Sequence, residues 1–242
     1  MPSAVRFMGV RLRLAGRTEV LSSIRSGERL RIATPNPEFI LEARRNAAFR
    51  EALESSLCIA DGFGLELGLR LWRLRDRSFL PVSRYAGADL VEDLLADGGR
   101  SLYLLGGAPG VAEAAAARWN ERYPGLRIVG AEDGGRVSDD PSVDPTLVAR
   151  VNAARPDVLL VAFGMPKQEL WMARAGGLEV PVMVGVGGTF DFYVRKKRAP
   201  RIWRRLRLEW LWRGLSEKGH WRRIWRATAV YGVTLLWTLL LS

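Results

Sequence analysis

The sequence predicts an α/β protein: a Rossmann-like parallel sheet with helices on both faces, followed by a basic, Trp-rich helical appendage. Three observations predict it. Six short runs are almost continuously apolar, as strands buried on both faces are. Helix-period stretches separate these runs, and strand–helix alternation implies right-handed crossovers and parallel pairing. Beyond Arg198-Ala-Pro200 the short runs stop and the pattern is helical only.

In chain order, Leu30–Ala33 is the first expected strand. Thr34-Pro-Asn36-Pro then starts a helix over Pro37–Asn46, with Asn36 as N-cap and proline in the first turn. A short helix over Phe49–Glu54 leads to a strand over Leu57–Ala60, and Asp61-Gly-Phe-Gly64 opens a helix over Gly64–Trp72. A helix over Gly87–Ala96 precedes the strand Leu102–Leu105. Gly106-Gly107-Ala-Pro-Gly110 turns into a helix over Pro109–Arg122, followed by the strand Arg127–Gly130. Asp133–Pro145, rich in Gly, Asp, Ser and Pro, reads as a loop. The helix Pro145–Ala154, the strand Val158–Ala162, the helix Pro166–Ala173 and the strand Val182–Val186 complete the pattern. Gly187-Gly188-Thr189-Phe-Asp191 follows the last strand. No internal repeat or low-complexity tract interrupts it. The domain expectation is an α/β body over 1–197 and a helical appendage over 198–242.

Charge divides the chain at the same place. Of 37 basic and 26 acidic residues, thirteen basic and only two acidic ones, Glu209 and Glu217, lie between Arg195 and Arg226, so the whole net charge of +11 sits there. Five of the nine tryptophans share that stretch. In Arg201–Leu215, Ile202, Leu206 and Trp210 fall at helical spacing among arginines, the form of a basic amphipathic helix at a membrane surface. The last sixteen residues, Ala227–Ser242, carry no charge. A span needs roughly 20 apolar residues, so surface insertion and packing on the body stand side by side, with full spanning third. If the run spans, the flanking arginines keep the body cytoplasmic. The N-terminus has no long apolar run, so no secretory signal is expected. The single cysteine, Cys58, sits in the run LCIA and reads as a buried small residue in a reducing compartment.

In open α/β sheets ligands bind beyond the carboxyl ends of the strands, which makes the residues after each expected strand candidates. Asp61 ends an apolar strand before a flexible glycine, where partial desolvation would raise a carboxylate toward a working general base. Its alternative is an N-cap serving the Phe63 and Gly64 amides. Thr34 and Asn36 can bond sugar hydroxyls, or simply build the turn and helix start of TPNPEF. Gly106 and Gly107 can bring backbone amides to a phosphate, or form a tight strand–helix turn. Lys167 and Gln168 can meet a diphosphate or sugar, or begin a solvated helix. Asp191 follows Gly-Gly-Thr and has a turn residue as its alternative. The only histidine, His220, lies in the basic tail, which excludes Ser–His or Cys–His catalysis in the body. With no Cys/His cluster and no Asp-x-Asp, neither metal nor cofactor is expected.

The segments TPNPEF, ADGFG, YLLGGAPGVAEAAA, VAFGMPKQELW and GVGGTFDFYVRKKRAPRIWRRLRLEWLWRGL resemble, in order, the motifs of the WecG/TagA/CpsF glycosyltransferases (glycosyltransferase family 26), from about Arg29 to about Leu215. The resemblance implies metal-independent, inverting transfer of a sugar from a UDP-sugar donor to a polyprenyl-diphosphate-linked sugar acceptor. Such enzymes build bacterial cell-surface polysaccharides, capsule or wall teichoic acid at the cytoplasmic face of the inner membrane. By motif, Asp61 matches the general base, Thr34 and Asn36 a sugar-pocket pair, and Gln168 a pocket glutamine. Arg84, in SRYAGADL, matches an arginine near the acceptor phosphate. Arg204, Arg207 and Arg213 match appendage arginines that reach diphosphate. The apolar run after Arg226 departs from shorter members, which leaves a reversible appendage and a permanent anchor both open. A membrane-bound sensory module without turnover is the second reading. Nucleic acid is a third, but helical Trp–Arg spacing beside an apolar run favours an anionic membrane surface, so no nucleic-acid partner is expected. The tail's apolar residues can meet lipid or a second subunit, so a homo-oligomer stays open, as does the donor sugar.

Overall fold

The structure, a computed structural model, describes residues 3–79, 83–138, 142–194, 200, 202, 203, 212 and 220–241. The elements are β1 (Ser3–Phe7), β2 (Val10–Leu14), α1 (Arg17–Ser26), β3 (Leu30–Ala33), α2 (Pro37–Arg45), α3 (Ala47–Glu54), β4 (Leu57–Cys58) and α4 (Phe63–Trp72). They continue as α5 (Gly87–Asp97), β5 (Ser101–Gly106), α6 (Val111–Arg122), β6 (Arg127–Glu132), α7 (Pro145–Ala154), β7 (Val158–Ala162), α8 (Lys167–Arg174) and β8 (Val182–Gly185). A single 3-10 turn (Gly187–Thr189), α9 (Asp191–Val194) and α10 (His220–Leu241) follow. The strands form one sheet in the order β1-β2-β4-β3-β8-β7-β5-β6, parallel except for β1. The expected α/β class is what the chain adopts.

The apolar-run criterion finds the inner strands and passes over the first 26 residues. There β2 alternates buried and exposed positions, because arginines at 11 and 13 face away from the core. Its hairpin with β1 turns at Met8 and Gly9, with φ of 49° and 86°. Positive φ at both turn positions matches the twist of a two-residue hairpin. β4 is shorter than expected, since Ala60 and Asp61 leave the sheet to bond neighbouring loops. β6 is longer, running to Glu132, and it is an edge strand of intermediate exposure rather than a buried one. It carries one extra residue opposite the Leu102–Tyr103 step, and the Tyr103 ring lies where a Cβ on Gly130 would be. Pro37 and Pro145 open their helices at the first turn as expected, whereas Pro109 and Pro166 lie just before theirs.

Two helical layers cover the sheet. On one face α1, α5 and α6 pack on Ile32, Leu104, Leu160 and Val184, and Phe190 stacks edge-on against Trp119 at 5.8 Å. On the other, α2, α3, α4 and α10 cover β1, β2 and β4, while α7 and α8 cover β5 and β7. The chain leaving β3 therefore enters one layer and the chain leaving β8 enters the other. Because β3 and β8 are neighbours, their carboxyl ends open a crevice of the kind that takes ligands in such sheets.

α10 adopts the packing expected of the tail and leaves a second, apolar face exposed. Its inner face buries Tyr231 and Leu235 against the α2/α4 core. Tyr231 lies over Gly68, and Arg75 Nη1 donates to the Thr238 carbonyl at 3.1 Å. Both contacts advance seven residues in the same sense, so α10 runs parallel to α4, from the rim end of the sheet toward its far end. Its outer face exposes Val230, Val233, Leu236, Trp237 and Leu240. No helix among the described residues is long and apolar enough to cross a membrane. Of the expected amphipathic helix over 201–215, only residues 202, 203 and 212 are described; all three are helical, and the Trp203 and Trp212 rings lie 5.6 Å apart.

The two faces of α10 predict opposite responses. Leu235→Ala should cost about 2–5 kcal/mol, as core truncations do, while Leu236→Ala should stay within about 0.5 kcal/mol of wild type. Urea unfolding of the full chain measures both.

Candidate functional site

The crevice is built from the loops after β3, β4 and β8. Thr34 is buried, and its Oγ1 donates to the Gly185 carbonyl at 3.1 Å, joining the tips of β3 and β8. The start of α5 lies on Thr34: a Cβ at Gly87 would come within 2.9 Å of its Cγ2. Asn36 caps α2, its Oδ1 accepting from the amides of Glu38 at 2.9 Å and Phe39 at 3.3 Å. The helix-start alternative for Asn36 is thus realised, and the cap leaves the Nδ2 amide as the group that can meet a ligand.

Asp61 stands beside this pair. Its amide donates to the Pro35 carbonyl at 2.9 Å, fastening the loop after β4 to the loop after β3. The N-cap position of α4 is Gly62, at φ 88°, so Asp61 sits one residue before the cap and is partly exposed at the rim. The amide of Tyr85 donates to the Ala60 carbonyl at 3.0 Å, which brings the Arg84 backbone to the same turn. The Tyr85 hydroxyl donates to Asp93 Oδ2 at 2.6 Å, and Asp93 also accepts two bonds from Arg17 at 2.7 Å. The Arg17 guanidinium holds the Asp93 carboxyl below the usual carboxylate range. That anchorage fixes Tyr85, and with it the main chain at Arg84.

Gln168 lies deeper than a substrate contact usually does. It is buried, and its Oε1 accepts from the amides of Gly164 at 3.2 Å and Gly187 at 3.1 Å, tying the loops after β7 and β8 together. Lys167 turns its Nζ to the Val137 carbonyl at 3.0 Å. Gly106, at φ 110°, passes so close to β7 that a Cβ would lie 2.7 Å from the Ala162 carbonyl carbon. The Gly107 amide donates to the Ala162 carbonyl at 3.0 Å. The tight-turn alternative for this pair is therefore realised, and the Gly107 N–H is committed to the protein. Asp191 is the first residue of α9, and its Oδ2 lies 3.9 Å from a Cβ position on Gly188. Arg204, Arg207 and Arg213 lie outside the described residues.

Residues 5–242 match the model of the Glycosyl transferase WecG/TagA/CpsF family. The chain belongs to this family. It is 33% identical over 212 residues to an N-acetylglucosaminyldiphosphoundecaprenol N-acetyl-beta-D-mannosaminyltransferase of Staphylococcus aureus strain MW2, a match covering 85% of this chain and 78% of that relative. Proteins of the same name from strains NCTC 8325 / PS 47 and COL match to the same extent.

As a WecG/TagA/CpsF glycosyltransferase, the chain gathers Thr34, Asn36, Asp61 and Arg84 around one crevice, with Gln168 as an internal tie beside it. Motif reading does not single out three residues that the geometry does. Gly87 and Gly185 leave room for Thr34 and Gln168. A Cβ at Gly185 would lie 2.8 Å from Gln168 Nε2 and 3.0 Å from Glu169 Oε1. Glu169 is buried, and burial pushes its carboxyl up to about 8. A glycine inside the apolar strand VMVGV and an acid inside the apolar turn QELW were the available signals. Cys58 is buried as expected, its thiol pushed up to about 12 by burial.

The two roles open to Asn36 separate by substitution. Asn36→Ala should lower stability by about 0.5–2 kcal/mol through loss of the cap, and Asn36→Asp should keep it. A fall in nucleotide-sugar affinity with Asn36→Asp at unchanged melting temperature, read by calorimetry, assigns the amide nitrogen to the ligand.

Proposed function

We propose that the chain transfers a sugar, a hexosamine, its uronic acid or a hexose, from a UDP-sugar to a polyprenyl-diphosphate-linked sugar, inverting the anomeric centre. The acceptor class follows the relatives' name, and N-acetylglucosaminyldiphosphoundecaprenol is its first candidate. The observation that supports this reading best is the fastening of Asp61 to Pro35: it sets a partly exposed carboxylate beside Thr34 at the β3/β8 crevice.

In this reaction Asp61 accepts the proton of the acceptor hydroxyl as the oxygen bonds to the anomeric carbon. The bond from that carbon to the UDP oxygen breaks on the opposite face, and UDP departs with its electron pair. A placed base of this kind contributes typically ~10²–10⁴-fold. The leaving diphosphate needs positive partners. With the Gly107 amide already bonded to β7, those partners are cationic side chains: Arg84 at the rim and, from the appendage, Arg204, Arg207 and Arg213. Asn36 and Thr34 orient the sugar. Arginines beside lipid complete the site where the acceptor is held, which limits hydrolysis of the donor.

The membrane contact combines the basic stretch with the outer face of α10. Cationic residues near an anionic leaflet contribute about 1 kcal/mol each, and Trp237 with Leu240 supplies apolar area. The body then works at the cytoplasmic side of the bacterial inner membrane, in the synthesis of a surface polysaccharide. Deleting the whole tail is a poor test of this, because it uncovers the core around Tyr231 and Leu235.

Asp61→Asn should lower transfer to a short-chain polyprenyl-diphosphate sugar by at least ~10²-fold at unchanged melting temperature; full activity in that variant removes Asp61 from the base role. Trp237→Glu combined with Leu240→Glu should weaken binding to phosphatidylglycerol-containing vesicles at least ~10-fold, given the apolar area lost. Flotation of the variant equal to that of wild type would refute the contact.

A further inference from the structure

Glu169 follows Gln168 in the first turn of α8 and is almost wholly shielded from solvent. Its Oε1 accepts from Gln168 Nε2 at 2.7 Å, and its Oε2 has no hydrogen-bond partner among the described residues. Because the Gln168 carboxamide oxygen faces the Gly164 and Gly187 amides, its nitrogen must face an acceptor, and Glu169 supplies one. Gly185 presses on both side chains from β8, while its carbonyl takes the Thr34 hydroxyl. We infer that Glu169 is a positioning residue of the rim: acting through Gln168, and only as the neutral acid, it holds the glycine turns after β7 and β8 together. Its consequence for sugar transfer rests on the proposed use of this crevice as the donor pocket.

The acid form is the one this packing accepts. Burial pushes the carboxyl up to about 8, against smaller opposing effects of the Gln168 bond and its own backbone amide. No charged side chain among the described residues contributes to that shift: not Arg50, Glu51 or Glu54 of α3, which packs alongside α8, and not Asp61. Lys167 is turned away to Val137. The Cys58 thiol below senses Glu169 but is itself pushed up to about 12, so it stays neutral. Once ionised, Oε2 is a buried charge without a partner, which is costly. The relief is hydration or an outward swing of the first turn of α8, and either takes Gln168 off the two glycine amides. For an acid whose folded pKa is raised, the stabilising contribution is complete below the ordinary carboxylate range and fades as pH rises toward about 8.

The test is amide hydrogen exchange of the full chain, isotope-labelled at glycine, followed from about pH 5 to about pH 9 and corrected for the intrinsic rate. Gly98, which caps α5 at the opposite end of the sheet, is the control. Protection at Gly164 and Gly187 should fall about tenfold per pH unit as pH rises toward about 8 and level off above it, with Gly98 unchanged. Glu169→Gln, which keeps the shape and cannot ionise, should hold protection level across the range. Glu169→Ala should lose it at every pH. Wild-type protection that stays flat overturns the inference whether or not either variant folds, and so does an equal fall in Glu169→Gln. In transfer assays wild type should lose activity on the alkaline side, chiefly through donor KM, and Glu169→Gln should not. Because exchange reads the tie without any turnover, normal transfer by Asp61→Asn would remove the base assignment while leaving the tie intact.

Discussion

The carboxyl ends of β3 and β8 meet at a glycine, Gly185, and the rim is organised around its missing side chain. Gly185 has Thr34 bonded to its carbonyl, and its α-carbon is packed by Gln168 and Glu169. A methyl group there would crowd the ends of both side chains, so the Gln168–Glu169 pair would have to shift. Gly87 plays the same part from the opposite side, letting α5 settle on Thr34. Two missing side chains thus set how closely these segments approach Thr34, Gln168 and Glu169. Close packing of this kind transmits small changes of volume over several residues.

Much of the fold is legible because its central strands are buried on both faces, a state with an unmistakable composition. Val158–Ala162 and Val182–Gly185 have no polar residue to spare, and turn residues mark their ends. The hairpin of β1 and β2 is not legible by that test. Its arginines alternate with apolar residues, as one-sided strands require, and its two-residue turn uses methionine and glycine instead of a stronger signal. The bounds of β4 were fixed by tertiary bonds from Pro35 and Tyr85, which no local pattern reveals. The site was legible in the same uneven way. Strand ends located Asp61, Thr34 and Asn36, but whether a residue faces ligand or protein depends on its partners. Asn36 does cap a helix, and Gly107 does spend its amide on the neighbouring strand. Gln168 bonds two loops, which sequence spacing cannot distinguish from reaching outward.

The division of charge has a structural counterpart. The body, with balanced charge, is a close-packed sheet with two helical layers, and its ion pairs, such as Arg17–Asp93 and Arg150–Glu132, are satisfied within it. The surplus of positive charge is confined to Arg195–Arg226, a stretch that runs into the first turns of α10. A rim built mainly of committed amides and small residues can orient an uncharged sugar well, but it has little with which to meet a diphosphate. In the proposed reaction, the division would place recognition of the sugar and neutralisation of phosphate on separate parts of the chain.

The extra residue in β6 has an effect beyond its own register. A bulged outermost strand twists out of plane, and a short antiparallel ribbon studded with arginine finishes the opposite border at β1. Neither border offers the long, flat, unpaired backbone on which another molecule could polymerise. At high local concentration, ladder-like stacking into fibres is disfavoured from both sides.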